Sequence, residues 1–126
     1  MDLQQIENIA LKALDDGKAR DVQVIDVAGI SSFTDRMIVA TGTSSTHVRS
    51  LGSMVDQAFK EAGDPSMGME TGPEPDWVLI DHGNLIVHVM TEKARAYYSI
   101  EKLWNMKLEA TMEADAEPAE KTEKTD

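Results

Sequence analysis

The residue types capable of chemistry in this chain gather in two places. The first is Thr41-Gly42-Thr43-Ser44-Ser45, hydroxyls around a glycine between an apolar run and a helical pattern. Backbone N–H groups at a helix start bind anions, and glycine permits close approach. Nucleotidyltransferases use a related Gly-Ser turn after a strand. They pair it with carboxylates on a following strand, which hold the metal for phosphoryl transfer. That second half is missing. Glu74-Pro75-Asp76 has the spacing but lies in a proline loop, and Asp81 is single at a turn. There is no Gly-x-x-x-x-Gly-Lys loop either. The run therefore reads first as the cap of a helix. A small nucleotide-binding protein or nucleotidyltransferase using Thr41 to Ser45 stands as the alternative.

The second place is the set of three histidines, His47, His82 and His88. No two of them have the spacing of a metal site. The chain has no cysteine, which removes disulfides, thiol nucleophiles and thiolate metal sites together. His82 falls in a turn and is expected to be solvated. His47 lies in the first turn of a helix, where the dipole disfavours its protonation. His88 alternates with Ile86 and Met90 on one face of a strand, expected across from Val78 and Ile80. It is either a hydrogen-bonded core histidine or a polar anchor in an apolar docking face. A triad of Ser31, His88 and Asp35 can be drawn on paper, but no Gly-x-Ser-x-Gly elbow supports it. No catalytic residue, metal or cofactor is expected.

The elements that position these groups follow from periodicity. Leu3, Ile6, Ile9, Ala10, Ala13 and Leu14 fall at helical spacing, and Asp15-Asp16-Gly17 ends that helix with glycine as its cap. Val22 to Val27 reads as a strand. Gly29 to Asp35 is a loop of turn formers. Met37 to Ala40 is a strand apolar throughout, expected to be buried on both faces. A helix from Ser45 to about Ala62 carries Val48, Leu51, Val55, Ala58, Phe59 and Ala62 on one stripe. Asp64 to Pro75 is loop-like, with a short strand around Met67 to Glu70. Two apolar runs flank His82-Gly83-Asn84 and form a hairpin. Thr91 then caps a helix with Glu92 in its first turn. The expected fold is α/β: a single domain with a mixed β-sheet flanked by helices, because strand, helix and return strand imply a crossover.

At 126 residues the chain suffices for one core. It carries 12 basic and 23 acidic residues, a net charge of −11. A phosphate backbone repels such a surface and no Lys/Arg cluster exists to track one, so direct, sequence-specific nucleic-acid binding is not expected. Plain solubility accounts for the charge, and attraction to a basic protein surface does as well. With no basic leader and no long apolar run, neither signal peptide nor membrane span is expected, and the cytoplasm is the expected compartment. Residues 105–126 hold 3 basic and 7 acidic side chains and no aromatic one. They read as an acidic disordered tail behind a domain of residues 1–104.

Both tryptophans and both tyrosines lie between Asp76 and Trp104. Core packing is expected for at least one of Tyr97 and Tyr98 and for Leu103. The remainder exceed what covering a small sheet demands, and large aromatics dominate interfaces as well as cores.

Several segments together resemble one family. They are Asp26-Val27-Ala28-Gly29-Ile30-Ser31 with Thr34-Asp35, and Ala40-Thr41-Gly42-Thr43-Ser44-Ser45-Thr46-His47-Val48. The most specific is Asp76-Trp77-Val78-Leu79-Ile80-Asp81 through Gly83 to Ile86-Val87-His88-Val89-Met90, completed by Tyr98 and Ile100-Glu101-Lys102-Leu103-Trp104. This pattern, from about Leu3 to Trp104, is similar to the iojap family, also called the ribosomal silencing factors (RsfS). Two positions depart from it: Asn84 stands where the family usually has Asp, and Ile100 where it often has Leu. The resemblance implies a nucleotidyltransferase-like fold without catalytic carboxylates, and a binding function in place of a reaction. Family members dock on the large ribosomal subunit through ribosomal protein L-fourteen, block joining of the small subunit, and lower translation when nutrients are short. On that resemblance, and on the excess of aromatics, Trp77, His88, Met90, Tyr98 and Trp104 are the expected anchors. Glu70, Asp76, Asp81, Glu101 and Lys102 are the expected rim. An exposed apolar face also invites a homodimer of the free protein.

Overall fold

The computed structural model describes residues 1–32, 34–71 and 76–99. Its elements run α1 (Leu3–Asp16), β1 (Arg20–Asp26), β2 (Arg36–Gly42), α2 (Ser45–Glu61), β3 (Gly68–Thr71), β4 (Trp77–Asp81), β5 (Leu85–Thr91) and α3 (Glu92–Tyr98). The strands form one sheet in the order β1-β2-β5-β4-β3. The β2–β5 pair is parallel, and the β1–β2, β4–β5 and β3–β4 pairs are antiparallel. The mixed sheet expected from the strand–helix–strand order is therefore present. The expected boundary at residue 104 and the tail of residues 105–126 lie outside the described residues.

Burial explains why β2 and β5 sit in the middle. Every residue of β2 after Arg36 is buried, and so is every residue of β5 before Thr91. Helices α1 and α2 cover one face, where Ile6, Leu14, Val48, Leu51, Val55 and Phe59 meet Ile38, Ala40, Val78, Ile80, Val87 and Val89. The other face carries a smaller cluster of Ile25, Val27, Met37, Val39, Met90 and Ala94, with Ile30 and Trp77 at its margin. Each large aliphatic side chain removed from water stabilises the fold by about 1.5–3 kcal/mol before entropy is counted. The larger cluster therefore sets most of the stability.

Helix ends are set by local hydrogen bonds. Asp2 and Gln5 form a reciprocal capping box at the start of α1, with distances of 2.8 and 2.9 Å. Ser44 caps α2, and Thr91 caps α3 as expected. Gly17 is the C-cap of α1, as expected, but does not take the left-handed turn itself. Gly17 has an ordinary φ of −87°, and Lys18 takes the left-handed turn at φ 66°. The chain reverses one residue later because the Ala19 N–H reaches back to the Leu14 carbonyl at 2.9 Å. Arg36 and Glu7 pair at 2.7 Å and tie α1 to the start of β2.

The hairpin register also differs from expectation. The His82 N–H donates to the Leu85 carbonyl at 2.9 Å and the Gly83 N–H to Asp81 Oδ1 at 2.8 Å. That turn sets Asp81 opposite Ile86, so His88 faces Leu79, while Val78 and Ile80 pair with Val89 and Val87 on the opposite face. A shift of one residue moves a whole side-chain set across the sheet. Among the described residues no helix is long and apolar enough to cross a membrane.

Gly52 lies on the buried face of α2, where an added Cβ would come within 2.7 Å of Val78 Cγ1. Helix propensity alone favours alanine here by about 1 kcal/mol. Val78 is β-branched and buried, so it cannot swing away. Overpacking costs of about 1–3 kcal/mol exceed that gain. Gly52→Ala is therefore expected to lower stability in urea unfolding by up to about 2 kcal/mol. A stabilised variant would show that α2 is free to move off the sheet.

Candidate functional site

The hydroxyl run after β2 is used internally. Gly42 packs so closely on α2 that a Cβ would lie 2.8 Å from Val48 Cγ2 and 3.0 Å from its backbone nitrogen. The Ser44 hydroxyl accepts from the His47 N–H at 3.1 Å. The Thr43 N–H donates to His47 Nδ1 at 2.9 Å, which leaves the other ring nitrogen, Nε2, to donate to the Gly17 carbonyl at 2.8 Å. The Thr41 hydroxyl accepts from Arg95 at 2.7 Å. Two donors that an anion would need, the Thr43 and His47 N–H groups, thus point at the chain's own side chains. Among the described residues no three His, Asp or Glu side chains come together as a metal site.

The other face of the hairpin is built differently. Four rings follow one another from the interior outward. His88 is buried, Trp77 is half-buried, Tyr98 is 37% exposed and Tyr97 is 80% exposed. The Trp77 and His88 rings lie 5.8 Å apart, Trp77 and Tyr98 4.6 Å, and Tyr98 and Tyr97 4.9 Å edge to face. These separations are those of favourable aromatic pairs. The Trp77 indole donates to His88 Nδ1 at 3.1 Å. An acceptor nitrogen must be unprotonated. Burial supplies that condition, pushing the His88 pKa down from 6.5 to about 4. His88 is thus the hydrogen-bonded core histidine, and it fixes the orientation of Trp77.

The remaining expected site residues separate by depth. Met90 is fully buried opposite Trp77 and belongs to the floor beneath it, which corrects its reading as an exposed anchor. Its strand is buried on both faces, so alternation does not expose it. Glu70 is exposed on β3, and Asp81 is half-buried at the hairpin turn with Oδ1 bound to Gly83. Asp76 is half-buried beside the start of α3; its Oδ2 accepts from the Thr91 hydroxyl at 3.3 Å, while its Oδ1 is buried with no hydrogen-bond partner among the described residues. Glu101, Lys102, Trp104 and Leu103 lie outside the described residues.

Two features escaped the sequence reading. Neither tyrosine is a core residue, because α3 turns Ala94 and Arg95 inward instead. Arg95 Nη1 donates to the Asp21 carbonyl at 2.6 Å and to Thr41, clamping α3 to β1 and β2. The available signal was helical spacing from the Thr91 cap, which puts Ala94 and Tyr98 four residues apart and leaves Tyr97 to one side.

Comparison with known proteins bears on this geometry. A family model described as "Ribosomal silencing factor during starvation" matches residues 1–126. A Chromobacterium violaceum protein named ribosomal silencing factor RsfS is 42% identical over 104 residues, covering 82% of this chain and 85% of that protein. A crystal structure of a protein from the same organism superposes with a TM-score of 0.80 at 42% identity, covering 83% of this chain and 88% of that one. A mouse protein named "Mitochondrial assembly of ribosomal large subunit protein 1" is 30% identical over 71% of this chain and 40% of its own length.

Neutral His88 gives the site a pH dependence whose sign is fixed. The unfolded chain takes up a proton on His88 near pH 6.5, the folded chain only near pH 4. The stability from the neutral ring is complete above pH 6.5 and is lost as pH falls toward 4. About 2 kcal/mol should disappear between about pH 7 and pH 5. His88→Gln retains an acceptor for the indole but does not titrate. The wild-type loss over that range, measured by urea unfolding, should exceed the variant's by this amount. Equal losses would mean that water reaches the ring.

Proposed function

The chain belongs to the ribosomal silencing factor family, and from that premise we propose that it represses translation by binding the large ribosomal subunit and blocking its union with the small one. The contact runs through the large-subunit protein L-fourteen, in the cytoplasm, when nutrients are short. The observation that carries this reading is the graded outcrop of His88, Trp77, Tyr98 and Tyr97 on a chain of net charge −11. Aromatic anchors with an acidic rim suit a basic ribosomal protein. Trp77 and Tyr98 are the central contacts, His88 and Met90 support them from below, and Glu70, Asp76 and Asp81 form the rim. Trp104, Glu101 and Lys102 extend the same set by sequence. In the free protein this outcrop pairs with a second copy.

No catalytic step is needed for this function. The internal use of the Thr41–Ser45 donors also leaves no observation that favours nucleotide chemistry there.

The purified protein is expected to co-sediment with large subunits, to leave small subunits unbound, and to reduce subunit joining. Tyr98→Ala should weaken binding at least tenfold while the chain stays folded, at a cost of about 1 kcal/mol in urea unfolding from the lost Trp77 pair. Hot-spot aromatics typically cost about 2 kcal/mol or more on truncation. Raising salt should weaken binding further. Equal sedimentation with both subunits, or joining that proceeds undisturbed, would defeat the reading. Sedimentation velocity of the free protein checks the dimer: a monomer at all concentrations removes it.

A further inference from the structure

Beside the outcrop lies a cavity of about 480 Å³ walled by Asp76, Lys93, Ala94, Tyr97 and Tyr98. Its chemistry is one-sided. Two tyrosine rings stand edge to face at 4.9 Å, and a carboxylate stands beside them. That carboxylate is under-used. Its Oδ2 accepts one long bond from Thr91, and its Oδ1, shielded from water, accepts none among the described residues. An ionised carboxylate offers about four acceptor positions.

Lys93 lines the same cavity but makes no ion pair among the described residues. The chain's own cation therefore leaves Asp76 unsatisfied. A flat, weakly hydrated cation fits better than a compact ammonium. A guanidinium can fork onto one carboxylate and stack on aromatic faces at once.

We propose that this cavity receives an arginine side chain from the basic protein on which the chain docks. The inference rests on the docking reading above and deepens it by naming the side chain that the partner inserts. The guanidinium pairs with the Asp76 carboxylate and lies against Tyr97 and Tyr98. Lys93 swings aside and stays in water, which its long stem allows.

The test uses the full chain and blocked amino acids, followed by the NMR signals of the Tyr97 and Tyr98 rings and the Trp77 indole. N-acetyl-arginine methylamide should give saturable shifts at concentrations on the order of 10 mM, the range open to a single side chain. The isosteric but neutral citrulline derivative should give none, and the lysine derivative should bind several-fold more weakly. Asp76→Asn should abolish the arginine shifts. Should that variant fail to fold, Tyr97→Ala removes an exposed wall and should weaken them several-fold. In parallel, both variants should bind large subunits about tenfold more weakly than the wild type. Equal shifts from all three derivatives, or arginine shifts that survive both substitutions, overturn the proposal. If wild-type protein pellets with large subunits but no derivative shifts these signals, the cavity assignment fails and the docking reading stands. Arginine-specific shifts in a protein that ignores large subunits support the cavity and sink the docking reading instead.

Discussion

The molecule is organised around the parallel contact between β2 and β5. Register pairs run without a break from Arg36–Leu85 to Gly42–Thr91. A parallel pair inside a sheet must be covered on both faces, because alternate side chains enter opposite layers. The two covers are unequal. Helices α1 and α2 make a thick layer over one face, with Phe59 and Leu14 at its centre. The second face has the loop after β1 and the short helix α3, seven residues long. A helix that short cannot span the sheet, so among the described residues the β4 side of this face is only partly covered. Trp77 and the tyrosines stand there.

The sheet edges show the opposite treatment. Strand β3 is four residues long and exposed throughout. Strand β1 slips register between Arg20 and Gln23, with Asp21 at a left-handed φ of 47°. Short strands and bulges both discourage pairing with another chain's edge. Arg95 meets the bulged strand from across the sheet at the Asp21 carbonyl, so an irregularity at one edge is tied to the helix behind the outcrop. Both edges are thereby poor templates for another chain's strand.

The sequence made the elements legible because their signals are local. Buried runs, hydroxyl caps at Ser44 and Thr91, and the turn at His82-Gly83-Asn84 each act within a few residues. The short strand β3 was legible too, despite lying in a proline-rich stretch. What failed depended on register or depth. Alternation along β5 shows that His88 and Met90 share a face, but says nothing about how deeply that face is covered. The partner of His88 depended on the hairpin closing through His82 and Leu85, a difference of one residue from the expected pairing. The position of Asn84 is instructive. Its backbone carbonyl accepts the Asp35 and Arg36 N–H groups at 3.1 and 3.0 Å, so the fold draws on its main chain at this position.

The same physics accounts for a face that is both stable and available. An exposed aromatic that moves freely loses entropy on binding, and that loss subtracts from affinity. Trp77 avoids most of it. Its indole is held by His88, its ring packs at a tilt against Tyr98, and Met90 lies opposite it across the hairpin. Rigid aromatics with few torsions give contact area at low ordering cost. The acidic charge plays a different part. In the proposed docking it raises the rate of encounter with a basic partner and fades with salt. In that docking the packed rings and the carboxylate beside them supply the shape that charge alone does not. That is why the neutrality of a buried histidine matters to a surface it never reaches. A proton on Nδ1 would remove the acceptor that holds Trp77, and the outermost rings would lose the base on which they pack.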